Sequence, residues 1–99
     1  MLQLQQGDVN ITQTTIPEGA RKRKGLTLRE GEVTGHAHRV MGEAELLEIG
    51  DRLFLRVLAE STKVVHEEHT EILVPPGEYE INPTVEYDHF TEEAREVRD

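Results

Sequence analysis

Hydrophobic and polar positions alternate with a period of two along most of the chain, in runs that are short and evenly spaced. Val9-Asn10-Ile11-Thr12 is the first, directly after Gly7-Asp8, and Leu26-Thr27-Leu28-Arg29 repeats it. Successive side chains of an extended strand point to opposite faces, so such alternation marks a half-buried strand. Arg52 to Leu58 is the strongest instance, rich in leucine and valine around Phe54. Lys63-Val64-Val65-His66 and Glu71-Ile72-Leu73-Val74 are shorter strands on either side of Glu67-Glu68. Glu78-Tyr79-Glu80-Ile81 puts Tyr79 and Ile81 on one face, and Val85-Glu86-Tyr87 follows the same pattern.

Turn chemistry separates these runs. Ile16-Pro17-Glu18-Gly19 and Glu30-Gly31-Glu32 turn the chain, and Pro75-Pro76-Gly77 stops it hard. Ala44 to Ile49 has residues that favour helix, but Gly50-Asp51 follows at once. So short a segment between Gly42 and Gly50 is a poor helix and a good hairpin strand. Val33 to Met41 is a further extended segment, interrupted by Gly35. Only Thr91 to Val97 leans helical, and it lacks an apolar stripe. It reads as a short surface helix or a frayed end. The pattern predicts one all-β domain over residues 1–99, a small antiparallel barrel or sandwich with at most one short C-terminal helix.

Composition narrows the picture. Apolar residues are 35% and charged residues 31% of 99 residues, so the core is thin, and completion by a second copy or a protein partner is expected. The chain has no cysteine, which removes disulfides, thiolate metal sites and cysteine nucleophiles. A net charge of -9 opposes general nucleic-acid binding, which depends on neutralising phosphates. Arg21-Lys22-Arg23-Lys24 is a local exception, read as a solvated continuation of the preceding loop because no aromatic residue is interleaved for base stacking. No apolar run is long enough for a membrane span, and the start of the chain lacks the form of a signal peptide, so a soluble cytoplasmic protein is expected. Ser61 is the only serine, in what reads as an ordinary turn, and no glycine loop of the phosphate-cradling kind is present.

The candidate chemistry lies in the histidines. Four of the five fall in two patches, His36-Ala37-His38 and His66-Glu67-Glu68-His69. Residues two apart on a strand share a face, so His36 and His38 project together. His66 and His69 suit a bend at Glu67-Glu68 that turns both rings inward. Two pairs of neutral imidazoles, or three with a carboxylate, form a divalent-metal site for zinc, manganese, iron or nickel. An open coordination position would make the ion catalytic, with Glu43, Glu67 or Glu68 as a general base; a closed shell would make it a staple. His89, beside Asp88, reads as a surface residue.

One stretch resembles the first motif of the cupin family: Gly31, four residues, His36-Ala37-His38, four residues, Glu43, six residues, Gly50. The resemblance implies a cupin-like barrel with His36, His38 and Glu43 as metal ligands. Pro75-Pro76-Gly77 is similar to the P-x-G of the family's second motif, with Glu80 standing where that motif has its histidine. The order of motifs also resembles short uncharacterised bacterial and phage-encoded proteins. Three classes follow: a cupin-like metal-dependent enzyme, a module with a structural metal, and a metal-free interaction domain such as a homo-oligomer or a component of a phage assembly.

Overall fold

Each alternating run becomes a strand in the computed structural model, which describes residues 2–30, 36–83, 85–87 and 94–96. The strands are β1 (Gln3–Gln6), β2 (Val9–Gln13), β3 (Arg21–Arg23), β4 (Thr27–Glu30), β5 (Ala37–Met41), β6 (Ala44–Ile49), β7 (Arg52–Val57), β8 (Lys63–Val65), β9 (Ile72–Leu73), β10 (Gly77–Pro83), β11 (Val85–Tyr87) and β12 (Ala94–Glu96). They form a six-stranded sheet in the order β1-β2-β10-β7-β6-β3, a four-stranded sheet β4-β5-β8-β9, and the ribbon β11-β12. All the pairings are antiparallel.

The two larger sheets make a sandwich-like fold, not a closed barrel. β1 and β3 are free edges of the large sheet, and β4 and β9 of the small one. Inward side chains come from both: Val9, Ile11, Leu46, Leu55, Val57, Tyr79 and Ile81 from the large sheet, Leu28, Val40 and Val64 from the small. Alternation explains the division, since Leu55 and Val57 face the other sheet while Arg52 and Arg56 lie on the opposite face, where Phe54 is buried beneath Arg52. Burying each such aliphatic side chain contributes about 1.5–3 kcal/mol, so a core of this size suffices for a small domain.

Tight turns set the register. Ile49 pairs with Arg52 across Gly50-Asp51, and Gln6 pairs with Val9 across Gly7-Asp8. After Pro75-Pro76, Gly77 opens β10 with φ 149°, a conformation that favours glycine, and the Tyr79 hydroxyl donates to the Pro75 carbonyl at 2.6 Å.

Three expectations are corrected. The basic run is not wholly loop: Arg21–Arg23 form edge strand β3 against Leu46–Glu48, exposed as expected, with Lys22 paired to Glu45 at 3.2 Å. Its cationic side chains suit an edge that must stay solvated. β1 was not marked by the sequence pattern, although Leu2-Gln3-Leu4-Gln5 alternates. At the other end, Ala94–Glu96 are not helical but pair with Val85–Tyr87, because a segment without an apolar stripe gains more from strand hydrogen bonds than from an unsupported helix. The remainder of the helical segment, His89, and Gly31 and Gly35 of the histidine motif lie outside the described residues. Among those described, no helix is long and apolar enough to cross a membrane.

Candidate metal centre

β5 opens with Ala37 and His38, and the inward turn of the strand that buries Val40 also buries His38, which is 0% exposed. His66 follows β8 directly and is buried; His69 follows the bend at Glu67-Glu68 and is half-buried. Because β5 pairs with β8, Arg39 opposite Val65, the two histidine patches meet. The His66 ring centroid lies 4.4 Å from that of His38 and 4.5 Å from that of His69. Each of the three offers a ring nitrogen within 4.8 Å of the others.

The large sheet supplies the floor. The β1–β2 hairpin tip carries Gln6, Gly7 and Asp8, and Gln6 and Asp8 are both buried. His38 Nδ1 meets Gln6 Oε1 at 2.9 Å, and His38 Nε2 meets Asp8 Oδ1 at 2.9 Å. The Gln6 amide group is oriented by its other end, which donates to the carbonyls of Val64 at 3.0 Å and Thr70 at 2.9 Å. Gln6 Oε1 therefore faces His38 as an acceptor, and Nδ1 carries the donated proton. That leaves Nε2 turned to the carboxylate. Gly7, at φ 56°, makes room for His69: a Cβ there would stand 2.4 Å from His69 Nε2.

Burial pulls the His38 pKa below the usual histidine value, opposed by the Asp8 hydrogen bond and reinforced by repulsion from the nearby His66 and His69. The neutral form that burial favours is also the form that ligates metals. His69 Nε2 is buried without a hydrogen-bond partner among the described residues. A buried imidazole nitrogen left unsatisfied is costly in an ordinary core, and it is the feature a bound ion would answer. His66 is held differently, its Nδ1 accepting the Glu68 N–H at 3.0 Å.

The remaining candidates stand outside this cluster. His36, just before β5, has its ring 5.7 Å from His66, edge to face, and its Nδ1, 3.7 Å from Glu68 Oε1, is like His69 Nε2 buried without a hydrogen bond among the described residues. His36 and His38 thus both reach His66, as their spacing suggests, but only His38 joins the group of converging nitrogens. Glu43 is exposed on the turn between β5 and β6, where its carbonyl accepts from Leu58 N–H. Glu67 is committed elsewhere. Its carboxylate accepts the Ala37 N–H at 2.7 Å and Arg39 Nη1 at 2.6 Å, and these bonds, the backbone one foremost, hold its pKa down to about 2. It ties the bend to β5 and is too weak a base for proton abstraction at neutral pH. A separate cleft lined by Gly19, Arg21, Glu48, Ile49 and Gly50 contains no imidazole.

Gln6, Gly7 and Asp8 are the residues that sequence reasoning missed. The available signal was the alternation of Leu2 to Gln5 leading into Gly7-Asp8, which marks a hairpin. Nothing local distinguishes a turn aspartate that is buried from the ordinary exposed one.

Chemically, the arrangement offers three imidazoles from the small sheet and a carboxylate from the large one, all at one end of the sandwich. No curated protein and no solved structure matches the chain. The family model that does match is not that of the cupins, in keeping with an open sandwich in which Glu43 stands apart from the histidines. It spans residues 5–83 and so includes every residue of the cluster, from Gln6 to His69. The chain belongs to the family described as Domain of unknown function (DUF8820).

Proposed function

We propose that this protein binds one divalent transition-metal ion through His38, His66 and His69. The observation that carries the reading is the convergence of one ring nitrogen from each of three histidines within 4.8 Å, in a cluster where His69 Nε2 is buried with no hydrogen bond among the described residues. Neighbouring ligands on a tetrahedral ion with bonds of about 2.1 Å stand about 3.4 Å apart, so nitrogens within 4.8 Å need to approach by up to about 1.4 Å. Nitrogen donors suit zinc, iron, nickel or manganese and disfavour calcium and magnesium. The ion would tie the start of β5 to the segment after β8 and so clasp the end of the small sheet that meets the β1–β2 tip. In a domain with a thin core, such a clasp raises stability by mass action.

A second reading, a metal-free polar cluster within an interaction domain, is favoured by one observation. With Nδ1 accepting from Glu68, His66 holds its proton on Nε2. Coordination through Nε2 requires that this bond be released and the proton move to Nδ1. Elemental analysis of protein purified without a histidine tag separates the readings. The expected result is a divalent transition metal near one equivalent per chain, with a melting temperature that falls on chelation. Protein that stays metal-free after incubation with zinc, manganese, iron and nickel, and melts identically with chelator, contradicts the first reading and supports the second.

A further inference from the structure

The geometry points to Asp8 as a fourth ligand of this site, with Gln6 as the positioning residue that aims His38 Nε2 at the ion. The inference rests on the metal reading above and adds to it a residue on the opposite sheet, far from the histidines in sequence.

Asp8 is a turn residue that is buried, its side chain only 5% exposed, beside a histidine that is fully buried. A carboxylate in a two-residue hairpin turn normally points to water. Here it points into the sandwich, with Oδ1 2.9 Å from His38 Nε2. Neighbouring ligands at a right angle on an ion with bonds of about 2.1 Å are about 3.0 Å apart, so the two atoms already hold the spacing of adjacent positions on a five- or six-coordinate centre.

The proton inventory agrees. The Gln6 amide is locked by the carbonyls of Val64 and Thr70, so His38 Nδ1 must donate to Gln6 Oε1. Nε2 and Oδ1 then face each other as two acceptors at 2.9 Å, an arrangement that a cation held between them would answer. Metal-bound histidines characteristically donate their second ring N–H to a neighbouring acceptor, which fixes tautomer and ring orientation; Gln6 fills that role for His38.

A ligand set of three imidazoles and one carboxylate at right-angle spacing favours manganese, iron, cobalt or nickel over tetrahedral zinc. It leaves one or two positions of such an ion for water or a small oxygen-donor ligand.

The test uses tag-free protein and cobalt(II) chloride as the probe. Cobalt(II) affinity is measured by competition with a chelator for wild type, Asp8→Asn and Gln6→Ala, with thermal melts of the metal-free proteins as the check on folding. Losing an outer partner typically weakens binding by about 10–100-fold, the range expected for Gln6→Ala; losing Asp8 should cost more than that range. Wild type should show the weak visible absorption of a five- or six-coordinate cobalt ion. Intense tetrahedral bands, or an Asp8→Asn protein within the outer-partner range, overturns the inference while leaving a histidine site in place. Wild type that binds no cobalt removes the metal reading itself. Should Asp8→Asn not fold, wild type with carbon-13-labelled aspartate decides: on loading with diamagnetic zinc, the Asp8 carboxyl resonance must shift far more than that of Asp51. Equal shifts for the two would overturn the assignment.

Discussion

On the outer face of the large sheet, Arg56 stands directly across from Glu45 and from Glu78 and donates to both, at 3.2 and 3.1 Å. Next to this triad, Arg52 reaches diagonally to Glu80 and lies 5.0 Å over the Phe54 ring. At the end of the sandwich, His38 stands between Gln6 and Asp8 with His66 and His69 against it. Both regions are assembled from charged or titratable side chains. In the ladder, the partners come from neighbouring strands of one sheet, water covers the groups, and every acid has a base. In the cluster, the partners come from two sheets, Gln6, Asp8, His38 and His66 are buried, the histidines outnumber the one acid, and a nitrogen of His69 is left over. Exposed pairs add little to stability because solvent already satisfies their charges, whereas buried polar groups are costly to leave unmatched. The ladder therefore reads as solubility and strand register, and the cluster as a site.

The largest break in that contrast should come from His38→Ala. It removes the buried hydrogen bonds to Gln6 Oε1 and Asp8 Oδ1 and opens a cavity, a loss of about 3–5 kcal/mol by analogy with other broken buried pairs. Chemical denaturation of the metal-free protein measures it, and a loss as small as that of a surface substitution would mean the cluster adds nothing to the fold.

Gly7→Ala comes next. The φ of 56° disfavours any side chain, and the added Cβ would meet His69 Nε2 at 2.4 Å. The conformational part alone costs about 1–2 kcal/mol, and His69 must also leave its place. A variant of wild-type stability with undisturbed His69 resonances would show that the hairpin tip does not hold the ring.

Acid should take the two regions apart in order. The folded pKa of His38 lies below the unfolded value of 6.5, chiefly through burial, so the unfolded chain binds a proton that the folded chain resists. That contribution is complete above pH 6.5 and is lost as pH falls through the lower folded value. Glu45 and Glu78 are also depressed, by hydrogen bonds from Lys22 and Arg56 and from Ile16 N–H and Arg56, but from 4.5. Their contributions, and that of Glu67 with its pKa near 2, persist until the pH drops below 4.5. Melting curves of metal-free protein should therefore weaken first between pH 6.5 and 4.5, and that first step should be absent in a folded His38 variant. A wild-type profile flat down to pH 4.5 would contradict the assignment.

Arg56→Ala should do least. Its side chain is 36% exposed, so the melting temperature should move little, and less still at high salt. A large loss would show that the ladder is structural after all.

The same contrast explains what the sequence made legible. The ladder follows from alternation: once Ala44–Ile49, Arg52–Val57 and Glu78–Ile81 are strands with Gly50-Asp51 as a turn, Glu45, Arg56 and Glu78 fall opposite one another. The meeting of the two histidine patches was legible too, because same-face spacing in His36-Ala37-His38 and a bend at Glu67-Glu68 both direct rings inward. The hairpin tip was not. Gln6 and Asp8 reach His38 across the gap between sheets, and only the packing of one sheet on the other creates that contact. The basic residues Arg21–Arg23 misled for a related reason: an edge strand can be charged throughout, since it has no buried face to reveal by alternation. Ala94–Glu96 likewise carry no pattern of their own and take their conformation from pairing with Val85–Tyr87.

The most direct measurement is a titration of metal-free, tag-free protein with zinc, followed through the imidazole nitrogen-15 resonances. Saturation at one ion per chain is expected, with a ring nitrogen of each of His38, His66 and His69 shifting on coordination and the His66 Nδ1 signal changing from acceptor to protonated. Histidine resonances that stay in place through several equivalents of zinc, or shifts confined to His36, would contradict the metal centre.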